Sequence, residues 1–516
     1  MGRRGERLNI LFITADQWRG ECLSILGHPH VRTPNLDALA RDGMLFANHY
    51  AQAAPCAPSR SSLHTGMYLQ NHRCVTNGAP LDDRFSNWAR EIAAAGYRPS
   101  LFGYTDSAID PRGLDADDPR LLHYSEPLPG IAEYTPMRDE VPVEWVDYLL
   151  QKGYPPVDRP WTFYGRKREG LDWSEGGERV LPLAIDAGDH ETHYMVDRCI
   201  DWIGARNEPW VTHLSLLRPH PPFAAPSPYN ERHDPADMPL PLRSEDPAAE
   251  AGQHPLLAYY INHGKHRAPD NLRQTQQDMV NYFGLIEEVD ENLGRLFQSL
   301  KDGGQWDSTL IVFTSDHGEQ LGDHWLMSKL GYFDQSYRIP LIIRDPDPAA
   351  DASRGTRIDA FTENIDVMPT LLDWLGLEAP SQCDGFSLLP ALRTGRMPSG
   401  WREEAHWEFD FRNVRDDSLE KHLGLTLHQC GLAVIRDRRY KYVHFSALPP
   451  LFFDLEPDPG EFVNQAQNPA YQERVLEYAQ KMLSWKMNHA DRGLTETMLG
   501  AGGAVTRRAP LRRLTS

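Results

Sequence analysis

At 516 residues, 40% hydrophobic and 24% charged, the chain has the size and composition of a soluble globular protein with a substantial core. Its formal net charge of −20 sets it against nucleic acid and anionic membranes, so an anionic substrate must be met by a local positive site, either a metal or an Arg/Lys cluster. The six cysteines (Cys22, Cys56, Cys74, Cys199, Cys383 and Cys430) are scattered without a Cys-x-x-Cys pair, so neither a disulfide framework nor a thiolate zinc site is signalled.

The first element is a short strand. Residues 8–13 form an apolar run, broken by Asn9, that leads to Asp16 and Gln17. It is too short and strand-like for a signal peptide or membrane helix, and a cytoplasmic location is expected. Residues 51–66 read AQAAPCAPSRSSLHTG and set Cys56 among Pro and Arg. A second run, 99–102, leads to Gly103, Tyr104 and Thr105. Residues 106–190 are rich in Pro, Gly and charge, with Trp145, Tyr148, Tyr154, Trp161, Tyr164 and Trp173 interspersed. That stretch reads as an insertion or lid whose aromatics form a small satellite core. A third run, 210–217, leads to Arg218 and His220. Residues 271–300 are the clearest helix, with Met279, Phe283, Ile286, Val289, Leu293, Leu296 and Leu300 at steps of three and four. Gly303 and Gly304 mark its end. The run 309–313 leads to Asp316 and His317.

Strands alternating with helices predict an α/β fold: a large, mostly parallel sheet covered by helices on both faces. Ligands then collect beyond the carboxyl ends of the strands, where these Asp, His and Tyr residues fall. After residue 400 the pattern changes, with strands over 431–445 and a helix over 470–486. We expect a catalytic domain over 1–399 and a smaller α+β domain over 400–516. Its tail carries Arg507, Arg508, Arg512 and Arg513 and reads as a frayed or subunit-wrapping arm.

Asp16, Asp316 and His317 can hold a divalent metal, with Gln17 adding a carbonyl oxygen. Two carboxylates favour a hard cation, and the imidazole moves the choice from Ca²⁺ towards Mn²⁺, Fe²⁺ or Zn²⁺. Cys56 is a mismatched partner for such an ion, because a thiolate is soft. A phosphatase-type Cys with Arg six positions later also fails, since position 62 is Ser62. A lone buried Cys is ordinarily a small hydrophobe. Against that stands the string Cys56-Ala57-Pro58-Ser59-Arg60.

That string resembles the sulfatases of the alkaline phosphatase superfamily, in which Cys-x-Pro-x-Arg signals oxidation of the Cys to formylglycine. Cys56, Pro58 and Arg60 match it, and Leu63, Thr65 and Gly66 continue it. NILFITADQ, VRTPNLDALARDG, HPPF from His220, TSDHGEQLGDH, KYVHF and LFFDLEPDPGE extend the resemblance over nearly the whole chain. It implies an alkaline phosphatase-like fold and maturation by a formylglycine-generating enzyme. Formylglycine also removes the mismatch, because its aldehyde hydrates to a diol of hard oxygens. One hydroxyl attacks phosphorus or sulfur, and the other expels the resulting ester as the aldehyde re-forms.

Three departures from the usual sulfatase pattern are informative. Asp16-Gln17 stands where Asp-Asp is typical, Asp316-His317 where Asp-Asn is usual, and Gly103-Tyr104-Thr105-Asp106 where a Gly-Lys-x-His string is common. All three resemble the phosphonate monoester hydrolase branch, which also cleaves phosphodiesters. The resemblance then implies that Asp16, Gln17, Asp316, His317 and modified Cys56 hold the metal, with Mn²⁺ first and Ca²⁺, Fe²⁺ and Zn²⁺ behind it. Arg60 orients the nucleophile. Asn77, His220 and Lys329 contact non-bridging oxygens, and Tyr104 and Thr105 lie on the substrate side. His220 is the preferred acid over Lys329. His324 is a candidate supporting residue of the site. A homotetramer and promiscuity towards sulfate and phosphate monoesters are also implied. The competing readings are an arylsulfatase and a non-catalytic oxyanion-binding homologue.

Overall fold

The computed structural model describes residues 8–138, 143–157, 160–164 and 183–507. In chain order the strands are β1 (Asn9–Ala15), β2 (Met44–Tyr50), β3 (Ala53–Ala54), β4 (Ser100–Gly103), β5 (Ala132–Pro136), β6 (Val211–Leu216) and β7 (Thr309–Thr314). Then come β8 (Arg338–Ile339), β9 (Leu341–Arg344), β10 (Thr356–Glu363), β11 (Ala405–Asp410), β12 (Gly431–Arg436), β13 (Tyr440–Phe445) and β14 (Leu451–Asp454).

The large sheet runs β10-β2-β9-β7-β1-β6-β4-β5, with β8 paired to β2. The block β7-β1-β6-β4-β5 is parallel throughout, while β9 runs antiparallel to both its neighbours. The expected mostly parallel α/β sheet is therefore present. Both its faces are covered. Leu11 and Ile13 of β1 join one core, with the helices Glu191–Gly204 and Leu272–Asp302. Ile10 and Phe12 point to the other face, where Leu63, Trp88, Ile92 and Leu371 pack. This two-residue alternation explains why β1 is apolar nearly throughout.

Helix Leu272–Asp302 buries all seven residues of its predicted stripe. The Asn271 side chain accepts from Arg273 N at its start, and Gly303 closes it. Residues 106–190 include the edge strand β5 and helix Val143–Gln151. Trp145 and Tyr164 are buried in the principal core, with Tyr148 and Tyr154 packed against it, so these aromatics do not form a satellite. Trp173 lies outside the described residues, and the Trp161 side chain is not described.

The smaller sheet runs β14-β13-β12-β11-β3. Helix Gln472–Asn488 covers it with Tyr478, Met482 and Trp485. Its last strand, β3, comes from the segment just before Cys56 and runs parallel to β11. The Cys56 segment is thus built into the C-terminal sheet. The 399/400 boundary read from the sequence falls in the connection between helix Leu389–Thr394 and β11. Beyond that helix, a hairpin of Thr497–Gly500 and Gly503–Thr506 exposes Met498, Leu499 and Val505. Arg508, Arg512 and Arg513 lie outside the described residues.

Candidate active site

Cys56 is the first residue of the helix Cys56–Thr65, which is buried along its whole length. One turn separates Cys56 from Arg60, so both face the same way. Pro58 is tolerated because first-turn N–H groups have no intrahelical partner. Another first-turn donor, Ala57 N, is taken by Asn77 Oδ1 at 3.0 Å. Asn77 therefore sits at the mouth of the helix that carries Cys56. The helix stops at Gly66, whose φ of 69° suits glycine. A Cβ there would also come within 2.9 Å of Cys383 Sγ.

Asp16 follows β1, and Asp316 and His317 follow β7, its parallel neighbour. With Cys56 they form a buried group whose donor atoms all lie within 4.8 Å of one another. Among the described residues this is the one such group of three or more His, Cys, Asp or Glu side chains. His317 Nε2 is 3.2 Å from Cys56 Sγ. His317 Nδ1 donates to Gly318 O at 3.0 Å, which leaves the Nε2 lone pair for the group. Asp316 Oδ1 accepts from the backbone N of Gln17 and of His317, at 3.1 and 2.9 Å. Asp16 Oδ1 is buried with no hydrogen-bond partner. An orphaned carboxylate oxygen beside a second carboxylate and an imidazole lone pair is a donor set that fits a divalent cation, and the Cys56 sulfur is its one mismatched member.

Gln17 occupies the left-handed region at φ 70°. A non-glycine residue there is strained by about 1–3 kcal/mol. Two contacts hold it: its N–H on Asp316 and its carbonyl, which accepts from Tyr282 OH at 2.7 Å. Its side-chain Nε2 donates to buried Glu319, and its Oε1 accepts from Lys329 Nζ at 2.6 Å. The amide is thereby oriented, with its oxygen on the Lys329 ammonium and its nitrogen on the Glu319 carboxylate.

Arg60 is fully buried. Its Nε donates to Asp316 Oδ2 at 2.9 Å and its Nη2 to Asp16 Oδ2 at 3.1 Å. Nη1 donates to Tyr104 O at 3.2 Å and Ser215 Oγ at 2.8 Å. The guanidinium also lies 4.2 Å from the centre of the Tyr104 ring, whose hydroxyl donates to Asp16 Oδ2. Burial alone would raise the Asp16 carboxyl, but His220, His317, Lys329 and Arg60 hold it far below the usual range. Burial, helped by Asp16 and Asp316, pushes the Cys56 thiol well up against the opposing pull of Lys329. The thiol is thus a poor nucleophile as it stands. Lys329 resists the lowering effect of burial because Cys56, Asp16 and Asp316 favour its charged form.

Asp16, Gln17, Cys56, Arg60, Tyr104, Asp316, His317 and Lys329 therefore come together. His220 exerts the strongest of the charge effects that keep Asp16 ionised, and its Nδ1 donates to Pro221 O at 2.7 Å. Thr105 is placed differently. Its hydroxyl donates to Glu126 O at 3.1 Å and accepts from Leu128 N at 2.9 Å, so it ties down the 126–128 loop. His324 stacks on Phe333 at 3.7 Å and lies 3.4 Å from Glu250, so its contacts are with the packing around it rather than with the buried group of Asp16, Cys56, Asp316 and His317. Sequence reasoning gave no role to Ser215, Glu319 or Ser59, whose hydroxyl donates to Asp316 O. Glu319 was visible in the TSDHGEQ string, but Ser215 lies within an apolar run and gave no signal.

Comparison with known proteins matches this architecture. The Sulfatase family model matches residues 8–377, and that of the N-sulphoglucosamine sulphohydrolase C-terminal region matches 322–488. The multifunctional alkaline phosphatase superfamily protein PehA of Trinickia caryophylli is 43% identical, over 97% of this chain and 99% of its own. An arylsulfatase of Clostridium perfringens is 28% identical over 95% and 96%. The crystal structure of the phosphonate monoester hydrolase of Agrobacterium radiobacter aligns with TM-score 0.91 and 42% identity, over 98% of this chain and all of its own. The phosphonate monoester hydrolase SpPMH from Silicibacter pomeroyi aligns with TM-score 0.90 and 38% identity, over 97% and 99%. A sheet of this order, a Cys-x-Pro-x-Arg helix seated on two acidic strand ends, and family matches along its length make this chain a member of the sulfatase family, in the alkaline phosphatase superfamily.

Proposed function

We propose that this protein hydrolyses phosphonate monoesters and phosphodiesters with a divalent metal and a formylglycine made from Cys56. The observation that carries the reading is the place of Cys56 Sγ among Asp16, Asp316 and His317, beside an Asp16 oxygen that has no partner. A soft, protonated thiol suits neither that donor set nor attack on phosphorus, whereas an oxygen head group suits both. The full-length likeness to two phosphonate monoester hydrolases supports the choice of substrate. The likeness to an arylsulfatase supports promiscuity that extends to sulfate esters, and phosphate monoesters are included in the same reading.

In this reading Asp16, Gln17, Asp316 and His317 hold the metal, with Mn²⁺ preferred. The ion supplies Lewis-acid charge stabilisation, and the formylglycine hydrate supplies the attacking hydroxyl. Arg60 fixes both carboxylates and sets a positive charge one turn from residue 56. Lys329, His220 and Asn77 bind the non-bridging oxygens and meet the charge that grows on them. His220 keeps its Nδ1 proton on Pro221 O, so Nε2 is the nitrogen that passes a proton to the leaving group. Tyr104 braces Asp16 and stacks on Arg60, on the substrate side. A formylglycine-generating enzyme matures the chain in the cytoplasm. The chain assembles as a homotetramer in which the hairpin bearing Met498, Leu499 and Val505 reaches a neighbour.

Peptide mass analysis of the Cys56 segment, paired with kinetics on matched aryl esters, tests this function. The active enzyme should show aldehyde or hydrate in place of thiol, and kcat/KM should rank phosphonate monoester and phosphodiester above sulfate. Cys56→Ala should lower kcat by more than about 1,000-fold while metal content is retained. An unmodified thiol in fully active enzyme would refute the mechanism, and a preference for sulfate would favour the arylsulfatase.

A further inference from the structure

Arg60 meets two carboxylates and one backbone carbonyl, but its fourth acceptor is a neutral hydroxyl, Ser215 Oγ. Ser215 lies in β6 and is paired in register near Thr14 of β1. Thr14 Oγ1 donates to Ser215 Oγ at 3.1 Å. Having given its one proton to Ser215, the Thr14 hydroxyl must accept at its other contact, His213 Nε2 at 3.0 Å. That assigns the proton of His213 to Nε2. His213 precedes Ser215 by two residues in β6 and shares its face. Its ring stacks on Phe12 at 4.6 Å, with His64 and Trp88 meeting it edge-on. All three residues are fully buried. Burial, with His64 and Arg60 nearby, keeps His213 uncharged.

Packing does not account for these side chains. A buried strand pair is better served by valine than by facing hydroxyls, which must be desolvated. A third carboxylate in place of Ser215 would overcompensate the guanidinium charge. A hydroxyl whose lone pairs are fixed by a one-way chain sets direction without adding charge.

We propose that His213, Thr14 and Ser215 are positioning residues, forming a neutral hydrogen-bonded chain that fixes the plane of the Arg60 guanidinium and, through it, aligns residue 56 with Asp16 and Asp316. The inference rests on the assignment of Arg60 to the reaction.

The test compares Thr14→Val, which deletes the hydroxyl at constant shape, with Thr14→Ser, which keeps it. Metal content, melting temperature, kcat and KM on an aryl phosphonate monoester are measured for each. Thr14→Val should keep fold and metal and lose roughly 10- to 100-fold in kcat with KM little changed. Thr14→Ser should stay within about threefold of wild type. Ser215→Ala should resemble Thr14→Val, and the double variant should be no worse than Ser215→Ala alone. Nitrogen-15 spectra of His213 should report the Nε2–H tautomer in wild type. The proposal is overturned if Thr14→Val and Ser215→Ala retain full kcat, or if Thr14→Ser is as impaired as Thr14→Val. If Thr14→Val does not fold, Ser215→Ala is read by the same criteria. Arg60→Lys separates the two levels. If it is inactive while Thr14→Val is unimpaired, the chain alone falls; if it is fully active, the role of Arg60 falls and the chain with it.

Discussion

His317 enters the site through one nitrogen, because Gly318 O takes the proton on the other. An imidazole at that position favours borderline cations, whereas an amide oxygen favours hard ones. Replacing His317 with Asn should therefore move metal preference towards Ca²⁺, as measured by metal content after chelation and reconstitution from a mixed pool. An unchanged ratio would remove His317 from the ligand set. Residues of this kind were legible in sequence because they break apolar runs: Asp16, Asp316 and His317 each follow a strand abruptly, and Cys56 and Arg60 share a short string. Thr14 and Ser215 were not legible, since a hydroxyl inside an apolar run changes neither periodicity nor charge. Thr105 stood beside Tyr104 in the sequence, but its hydroxyl binds residues 126 and 128, a contact between segments that spacing does not reveal.

At the scale of elements, helix Leu272–Asp302 joins helix Glu191–Gly204 through a buried histidine. His190 Nδ1 lies 2.7 Å from Glu288 Oε1, and its Nε2 lies 2.6 Å from Glu191 Oε2. Burial would lower its pKa, but Glu191 and Glu288 push it up to about 9 from an ordinary 6.5. A raised histidine pKa contributes stability in full below 6.5, and that stability is lost as pH climbs through about 9. The contribution has an upper bound of about 3 kcal/mol. Melting temperature should thus fall between about pH 6.5 and 9, and Glu288→Gln should flatten the slope; identical slopes would exclude His190 as its source. The helix itself was readable from seven apolar positions and two closing glycines. Strands β3 and β5 were not, because a two-residue strand and an exposed edge strand carry too few apolar residues to stand out.

Over the whole molecule, the charge of −20 leaves the site's Arg60 and Lys329 as buried positive features of an acidic protein, which suits a small anionic ester. In the proposed tetramer the exposed apolar hairpin reaches a neighbouring subunit. Deleting residues 497–506 should reduce the mass measured by light scattering below that of four chains, and a persistent tetramer would place the subunit contacts elsewhere. The large sheet was legible as a class, but the merging of the Cys56 segment with the C-terminal sheet was not. No local pattern can announce that Ala53 pairs with Glu408, far along the chain.

That pairing sets a timetable for synthesis. Ala53 cannot find its partner until Glu408 has left the ribosome, which at 5–20 residues per second is an interval of roughly 20 to 70 seconds. Throughout that time β3 has no partner strand; in the finished fold the thiol three positions after Ala53 retains only 5% of its exposure. Under the proposed maturation, an enzyme that oxidises Cys56 has this interval in which to act before β3 joins β11.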